Sequence, residues 1–232
     1  MNIRSNYFRA VPTRESTSNA GAARPRRARG VRRPRNGNPR AEKRVEILKC
    51  AAAAFRRLGY HGATVEQIAA ALHMKKGNLY YYFKNKEEIL FACHQYSLDR
   101  LTELLDEILA NGEPADAQLR RLITAFVQTI LDELHGTALF LDLEALTPAH
   151  LRAVIVRRDK FDHGMRQIIE RGVADRTFEQ TDAKFVSFAI LGAVNWIPRW
   201  FNPGGPASSE QIGQLFADYL IGGLRSRQSD GA

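Results

Sequence analysis

From Ala41 onward, apolar residues recur every three or four positions and no convincing period-two alternation appears, so the chain reads as all-α. Leu48, Ala51, Ala52, Phe55 and Leu58 share one face of a helix over about 42–58, and Gly59 stands where a left-handed residue would end it. Thr64-Val-Glu-Gln67 is a capping box, followed by Val65, Ile68, Ala69 and Leu72 on one face of a short helix over about 65–72. His73 and Met74 break the pattern, and ALHMKKGNLYYYF continues to Phe83. Asn85-Lys-Glu-Glu88 then offers a second box, opening a longer helix to about Leu109. Beyond Asn111-Gly-Glu-Pro114, Leu119, Ile123, Phe126, Val127, Ile130 and Leu134 form a stripe that His135-Gly136 stops. A short segment spans Leu139–Leu146, and Thr147-Pro148 starts a helix carrying Leu151, Val154, Ile155, Arg158, Phe161, Met165, Ile168 and Ile169 until Gly172. Residues 182–201 are apolar nearly all round, which predicts burial on more than one side. After the turn at 203–206, Ser208-Ser-Glu-Gln211 caps a last helix, bringing the count to about nine.

Charge divides this helical chain. The 232 residues carry +9, but residues 1–40 hold eleven arginines against one glutamate, so residues 41–232 come to −1. Within them, residues 41–95 are +4 and 96–232 are −5. The first 40 residues mix Arg, Pro, Gly and Asn without an apolar period and are expected to be a disordered arm. That arm reads as a phosphate-neutralising tail, as a solvated leader or mis-assigned start, or as a transit peptide. No run of 18 apolar residues and no apolar secretory stretch appears, so a cytoplasmic, nucleoid-associated protein with no membrane partner is expected.

The stretch before Phe83 carries the most specific chemistry. On a wheel of residues 75–84 at 100° per residue, Leu79, Tyr82 and Phe83 fall on one face. Gly77, Tyr80, Tyr81 and Lys84 fall opposite, flanked by Asn78, with Lys75 and Lys76 at the N-terminal end. A core aromatic stripe is the competing reading, but three consecutive tyrosines cannot all point inward. Lysines and tyrosine hydroxyls reach phosphates, asparagine can pair with an adenine edge, and glycine lets a helix approach the duplex. Two short helices joined by a break make a helix-turn-helix, the second entering the major groove.

Residues 44–94, with Ile47, Phe55, Gly59, Thr64, Val65, Ile68, Ala69, Lys76-Gly77, Leu79-Tyr80-Tyr81 and Phe83-Lys84-Asn-Lys86-Glu-Glu-Ile-Leu90, resemble the DNA-binding domain of the TetR family of bacterial repressors. The resemblance implies a helical homodimer, with operator DNA bound by residues 41–95 and a small effector by residues 96–232. It suggests Thr64, Lys76, Tyr80, Tyr81 and Lys86 as DNA- or phosphate-facing. Arg44, Lys75, Gly77, Asn78 and Lys84 complete the candidate set. Two departures stand out: His73 replaces the usual turn glycine, and Lys75 replaces the usual serine cap.

Asn195-Trp-Ile-Pro-Arg-Trp-Phe-Asn-Pro-Gly-Gly-Pro206 is similar to the end of TetR-type regulators of fatty-acid or steroid degradation that leave DNA on binding acyl-CoA. Trp196 and Trp200 offer flat walls, Arg199 an anion partner, and Phe126, Ile130 and Phe161 an acyl lining. An acyl-CoA thioester and another apolar or aromatic molecule both remain open, as does no ligand. The last two helices are expected to pair across a two-fold axis as a four-helix bundle.

An enzyme is not expected. His61, His73, His94, His135, His150 and His163 are scattered, and neither they nor Cys50 and Cys93 make a catalytic or metal-ligand spacing. No cofactor and no metal are therefore expected, and both cysteines read as small core residues. The rival within nucleic-acid binding is a non-specific protein driven by the Arg-rich tail.

Overall fold

The computed structural model describes residues 38–133 and 142–225. The expected disorder of the arm lies outside the described residues as far as Gly37. The arm's last positions differ from expectation. Asn38 Oδ1 accepts the Arg40 N–H at 3.0 Å and Pro39 takes the first turn, so α1 starts early and runs Pro39–Gly62. Proline fits there because that amide has no partner inside a helix. Gly59, where the helix was expected to end, instead kinks α1 at φ 71° and ψ 163°, and a last turn continues to Gly62.

Seven further α-helices follow among the described residues: α2 Val65–Ala71, α3 Lys76–Tyr80, α4 Lys86–Ala110, α5 Ala115–Gln128, α6 Pro148–Ala174, α7 Ala183–Trp196 and α8 Ser209–Gly222. The all-α reading holds, and the count is close to the expected nine. The stop expected at His135-Gly136 lies outside the described residues, and α5 passes into a π-helical turn over Thr129–Glu133. Of the segment expected at Leu139–Leu146, the described part is a single 3₁₀ turn, Leu143–Ala145. No helix among the described residues is long and apolar enough to cross a membrane.

Local signals set most of these boundaries. Thr64 and Ser208 each accept the amide three residues on, while Gln67 and Gln211 return the bond. Asn85 caps α4 through Glu88 N–H at 2.8 Å, but the Glu88 carboxylate reaches one residue further back, to Lys84 N–H. Gly172 corrects an expectation. It does not end α6, which continues to Ala174; it sits against the Phe178 ring, where a β-carbon would collide. The left-handed residue that turns the chain is Arg176, at φ 64°.

The core runs through both halves. Ile47, Leu48, Phe55, Ile68, Leu79 and Phe83 are buried beneath α1–α3, and α4 joins them through Ile89, Leu90 and Cys93. Its later residues Leu98, Leu101 and Leu105 enter the second half, where α4 packs on α6 and α5 lies most extensively along α8. Cys93 Sγ donates to Leu48 O at 3.6 Å, and burial pushes its thiol up to about 12, so it packs as an apolar residue.

One consequence is measurable. Gly172→Ala places a methyl into the Phe178 ring and against Ala115, and should lower stability by about 1–3 kcal/mol in urea unfolding. An unchanged midpoint would show that α6 yields freely there.

Candidate DNA interface and effector cavity

Between α2 and α3 the chain turns on His73, a non-glycine residue at φ 53°, with Met74 N–H returning to Ala69 O at 2.9 Å. The side chain of Lys75 makes no capping bond at the start of α3. α3 is shorter than the wheel assumed, ending at Tyr80. Its facing persists because the Tyr82 and Phe83 amides still donate to Leu79 O, at 2.9 and 3.1 Å. Leu79 and Phe83 are therefore buried and Tyr82 half-buried, whereas Tyr80 and Tyr81 are 42% and 66% exposed.

The polar candidates separate into two groups. Lys75, Asn78 and Lys84 are exposed along and beside α3, and a β-carbon at Gly77 would meet nothing within 4 Å. No internal packing demands a glycine there. Lys76 is also exposed but pairs with Glu66, and its ammonium lies 5.7 Å from the Tyr80 ring centre. The hydrogen bond from Lys76 holds the Glu66 carboxyl below its usual range and raises Lys76.

Arg44, Thr64 and Lys86, expected to face DNA, also have partners within the chain. Arg44 Nη1 donates to Tyr82 O at 3.1 Å with its guanidinium 4.2 Å from the Phe83 ring centre, fastening the end of the helix-turn-helix to α1. Thr64 spends its hydroxyl on the α2 cap. Lys86 Nζ donates to Tyr60 O at 2.7 Å and Ala63 O at 2.9 Å, with His61 O at 3.5 Å, over the Tyr60 ring. It closes the C-terminus of α1, where carbonyls lack helical partners. Arg40 was missed by the sequence reading. Its guanidinium lies 4.8 Å from the Tyr81 ring centre, and the Asn38-Pro39 helix start that carries it was the available signal.

In the second half, a cavity of about 360 Å³ is lined by Leu98 and Leu101 of α4, Phe126 of α5, Arg158 and Phe161 of α6, and Leu191 and Asn195 of α7. It brings together Phe126 and Phe161, whose ring centres are 5.1 Å apart. Ile130 is buried in the π-turn but does not line it. Trp196, Arg199 and Trp200 are not in it either. Trp196 is 60% exposed beneath the Arg199 guanidinium, and Trp200 stacks on Phe216 of α8. Asn195 points to the cavity, so its neighbour Trp196, about 100° round the helix, points away. Arg158 is the polar feature the sequence reading passed over, although it stood inside an apolar stripe. Burial lowers its guanidinium from the usual value, yet an arginine stays charged. Among the described residues no cluster of His, Cys, Asp or Glu could hold a metal ion.

Comparison with known proteins bears on both regions. Residues 47–93 match the family described as bacterial regulatory proteins, tetR family, and residues 112–224 match the tetracyclin repressor-like C-terminal domain. The chain belongs to the TetR family. A TetR-family regulator from Thermus thermophilus, PfmR, is 31% identical, superposes with a TM-score of 0.70, and the match covers 78% of this chain and 99% of that one. The transcriptional repressor KstR2 of Mycolicibacterium smegmatis is 29% identical over 82% of this chain and 94% of its own. AibR, solved with isovaleryl coenzyme A and operator DNA, is 26% identical, with a TM-score of 0.65 over 78% of this chain and 98% of its own. This TetR-family chain is thus a DNA-binding transcriptional regulator by family.

The division of basic residues is testable. Lys75→Ala and Lys84→Ala should each weaken DNA binding to all sequences and reduce the salt slope by about one. Lys86→Met should instead lower stability by ~1–3 kcal/mol, by leaving carbonyls unpaired at the end of α1. If denaturation of the Lys86→Met protein matched the parent while DNA affinity fell, its structural assignment would be wrong.

Proposed function

We propose that this protein is a homodimeric repressor that binds a pseudo-palindromic operator and is released by a small effector with an apolar body and an anionic group, an acyl-CoA thioester being the favoured class. The observation that carries the reading is the path of α4. Its first half lies in the core of the helix-turn-helix, where Cys93 bonds to Leu48, and its second half supplies Leu98 and Leu101 to the cavity wall. A ligand that moves one end of such a helix moves the other.

In this reading Tyr80, Tyr81, Asn78, Lys75 and Lys84 face the major groove, with Gly77 allowing close approach, Arg40 bracing Tyr81 and Lys76 exchanging Glu66 for phosphate. At about 360 Å³ the cavity is near the small end of ligand sites, sized for an acyl group rather than a whole thioester. Phe126, Phe161 and Leu191 would hold the acyl group, and Arg158 and Asn195 a polar or anionic part. The complex of AibR with isovaleryl coenzyme A supports this class, and the repressor KstR2 supports the direction of control. Such a regulator would work in the cytoplasm, on the nucleoid.

Dimerisation follows from what α7 and α8 leave uncovered. Within one chain, α7 buries Ala183, Ser187, Ile190 and Val194 and leaves Phe185 67% and Phe188 49% exposed, an apolar face of the kind expected to need a partner. On α8, Leu215 and Tyr219 are 53% and 76% exposed. A second copy would cover these faces, in keeping with the symmetry of palindromic sites.

Footprinting on the DNA upstream of the protein's own gene should protect two half-sites, and an acyl-CoA panel should contain a member that releases it. Arg158→Met should raise the Kd for that thioester about tenfold or more, the scale of one lost charge-assisted hydrogen bond. Phe185→Asp with Tyr219→Asp should give a monomer by light scattering. Removing residues 1–37 should weaken binding and its salt dependence but leave the footprint. Loss of sequence preference on that truncation would favour the non-specific, tail-driven alternative.

A further inference from the structure

Where the helix-turn-helix meets the second half, α4 opens with two adjacent charged residues that point to different partners. Lys86 holds the last carbonyls of α1, as described. Glu87 turns to α6: its Oε1 accepts the Thr147 N–H at 2.9 Å and lies 2.8 Å from His150 Nδ1, with Oε2 at 3.0 Å. The His150 ring is stacked on Phe91 of α4, centres 3.8 Å apart and planes within 5°. The Glu87 side chain is only 15% exposed. A second tie joins the same region, from Tyr60 N–H to Asp142 Oδ2 at 3.0 Å, just ahead of α6. About two turns beyond His150, the same helix reaches the cavity with Arg158 and Phe161.

We infer that Glu87 and His150 are the positioning pair through which occupancy of the cavity reaches the DNA-binding helices. The inference rests on the reading that the cavity controls operator binding. Three features of the junction support it. The contact is directional, so a shift of α6 by about one ångström breaks it rather than sliding it, giving the two discrete arrangements that transmission needs. It joins the first turn of α6 to the first turn of α4, with no intervening loop. Its neighbour Lys86 passes any movement of that turn on to the C-terminus of α1, immediately before the Thr64 cap of α2. Phe91 fixes the imidazole plane, so His150 cannot follow Glu87 by rotating its ring.

A cavity-filling substitution serves as a surrogate effector and removes the need to know the natural one. Leu191→Trp, on α7 and in neither α4 nor α6, occupies the space beside Phe126 and Phe161. In the otherwise unchanged dimer it should weaken binding to the footprinted operator about tenfold, a typical coupling. It should also speed amide hydrogen exchange over residues 60–64 and 86–91. With Glu87→Ala or His150→Ala present, Leu191→Trp should change operator affinity less than about twofold. The two alanine changes together should abolish the response no further than either alone, as members of one pair do. Glu87→Gln, which still accepts from Thr147 and His150, should restore it. A tenfold response that persists undiminished in the Glu87→Ala and His150→Ala proteins would overturn the pair while leaving the cavity's role intact. Absence of any response to Leu191→Trp in the intact protein would overturn both.

Discussion

The first turn of α4 holds two opposite charges side by side, and the arrangement of the rest depends on their pointing apart. Lys86 gives its ammonium to backbone carbonyls that end α1, while Glu87 gives its carboxylate to an amide and an imidazole that begin α6. Each interaction joins a charge to a helix terminus whose exposed backbone groups carry the opposite partial charge. One turn therefore sets the placement of the DNA-binding helices and of the helix that walls the cavity. Hydrophobic burial binds the two halves together, but burial alone would not specify an angle between them.

This division explains why arginine and lysine near a DNA-binding surface serve different ends. Arg44 and Lys86 give their charges to carbonyls and rings of the scaffold, Lys76 is shared with Glu66, and Lys75 and Lys84 are left for solvent. A positive residue in this region is thus not by itself a phosphate contact. The scaffold's own unpaired carbonyls are the nearer acceptors.

What could be read from the chain was what is decided locally. The capping boxes at Thr64 and Ser208 close within four residues, and helical geometry alone forces Tyr80 and Tyr81 outward once Leu79 is inward. The Lys86 interaction was not legible, because its acceptors are backbone atoms more than twenty residues earlier and carry no side-chain signature. Trp196 and Trp200 lie outside the cavity's lining, and the sequence could not show this because an aromatic residue on an apolar helix looks the same whether it faces a cavity or an open helix face. Gly172 misled for a related reason: glycine marks either a helix end or a close approach, and only the position of Phe178 distinguishes them. Arg158 was visible as a charge inside an apolar stripe, yet the cavity beside it exists only after four helices meet.

His73 has a further consequence. A side chain at φ 53° is strained by about 1 kcal/mol or more relative to glycine, but glycine there would leave the unfolded chain freer, by ~0.4–1 kcal/mol. The two terms largely offset. What does not cancel is the range of angles available to the folded turn, which a β-carbon narrows and glycine would widen. The angle at which α3 is presented is therefore held by the backbone itself, before any nucleic acid arrives. On the proposed reading of α3 as the groove-facing helix, the protein has less ordering left to do on contact, and correspondingly less freedom to adapt to a half-site of altered shape.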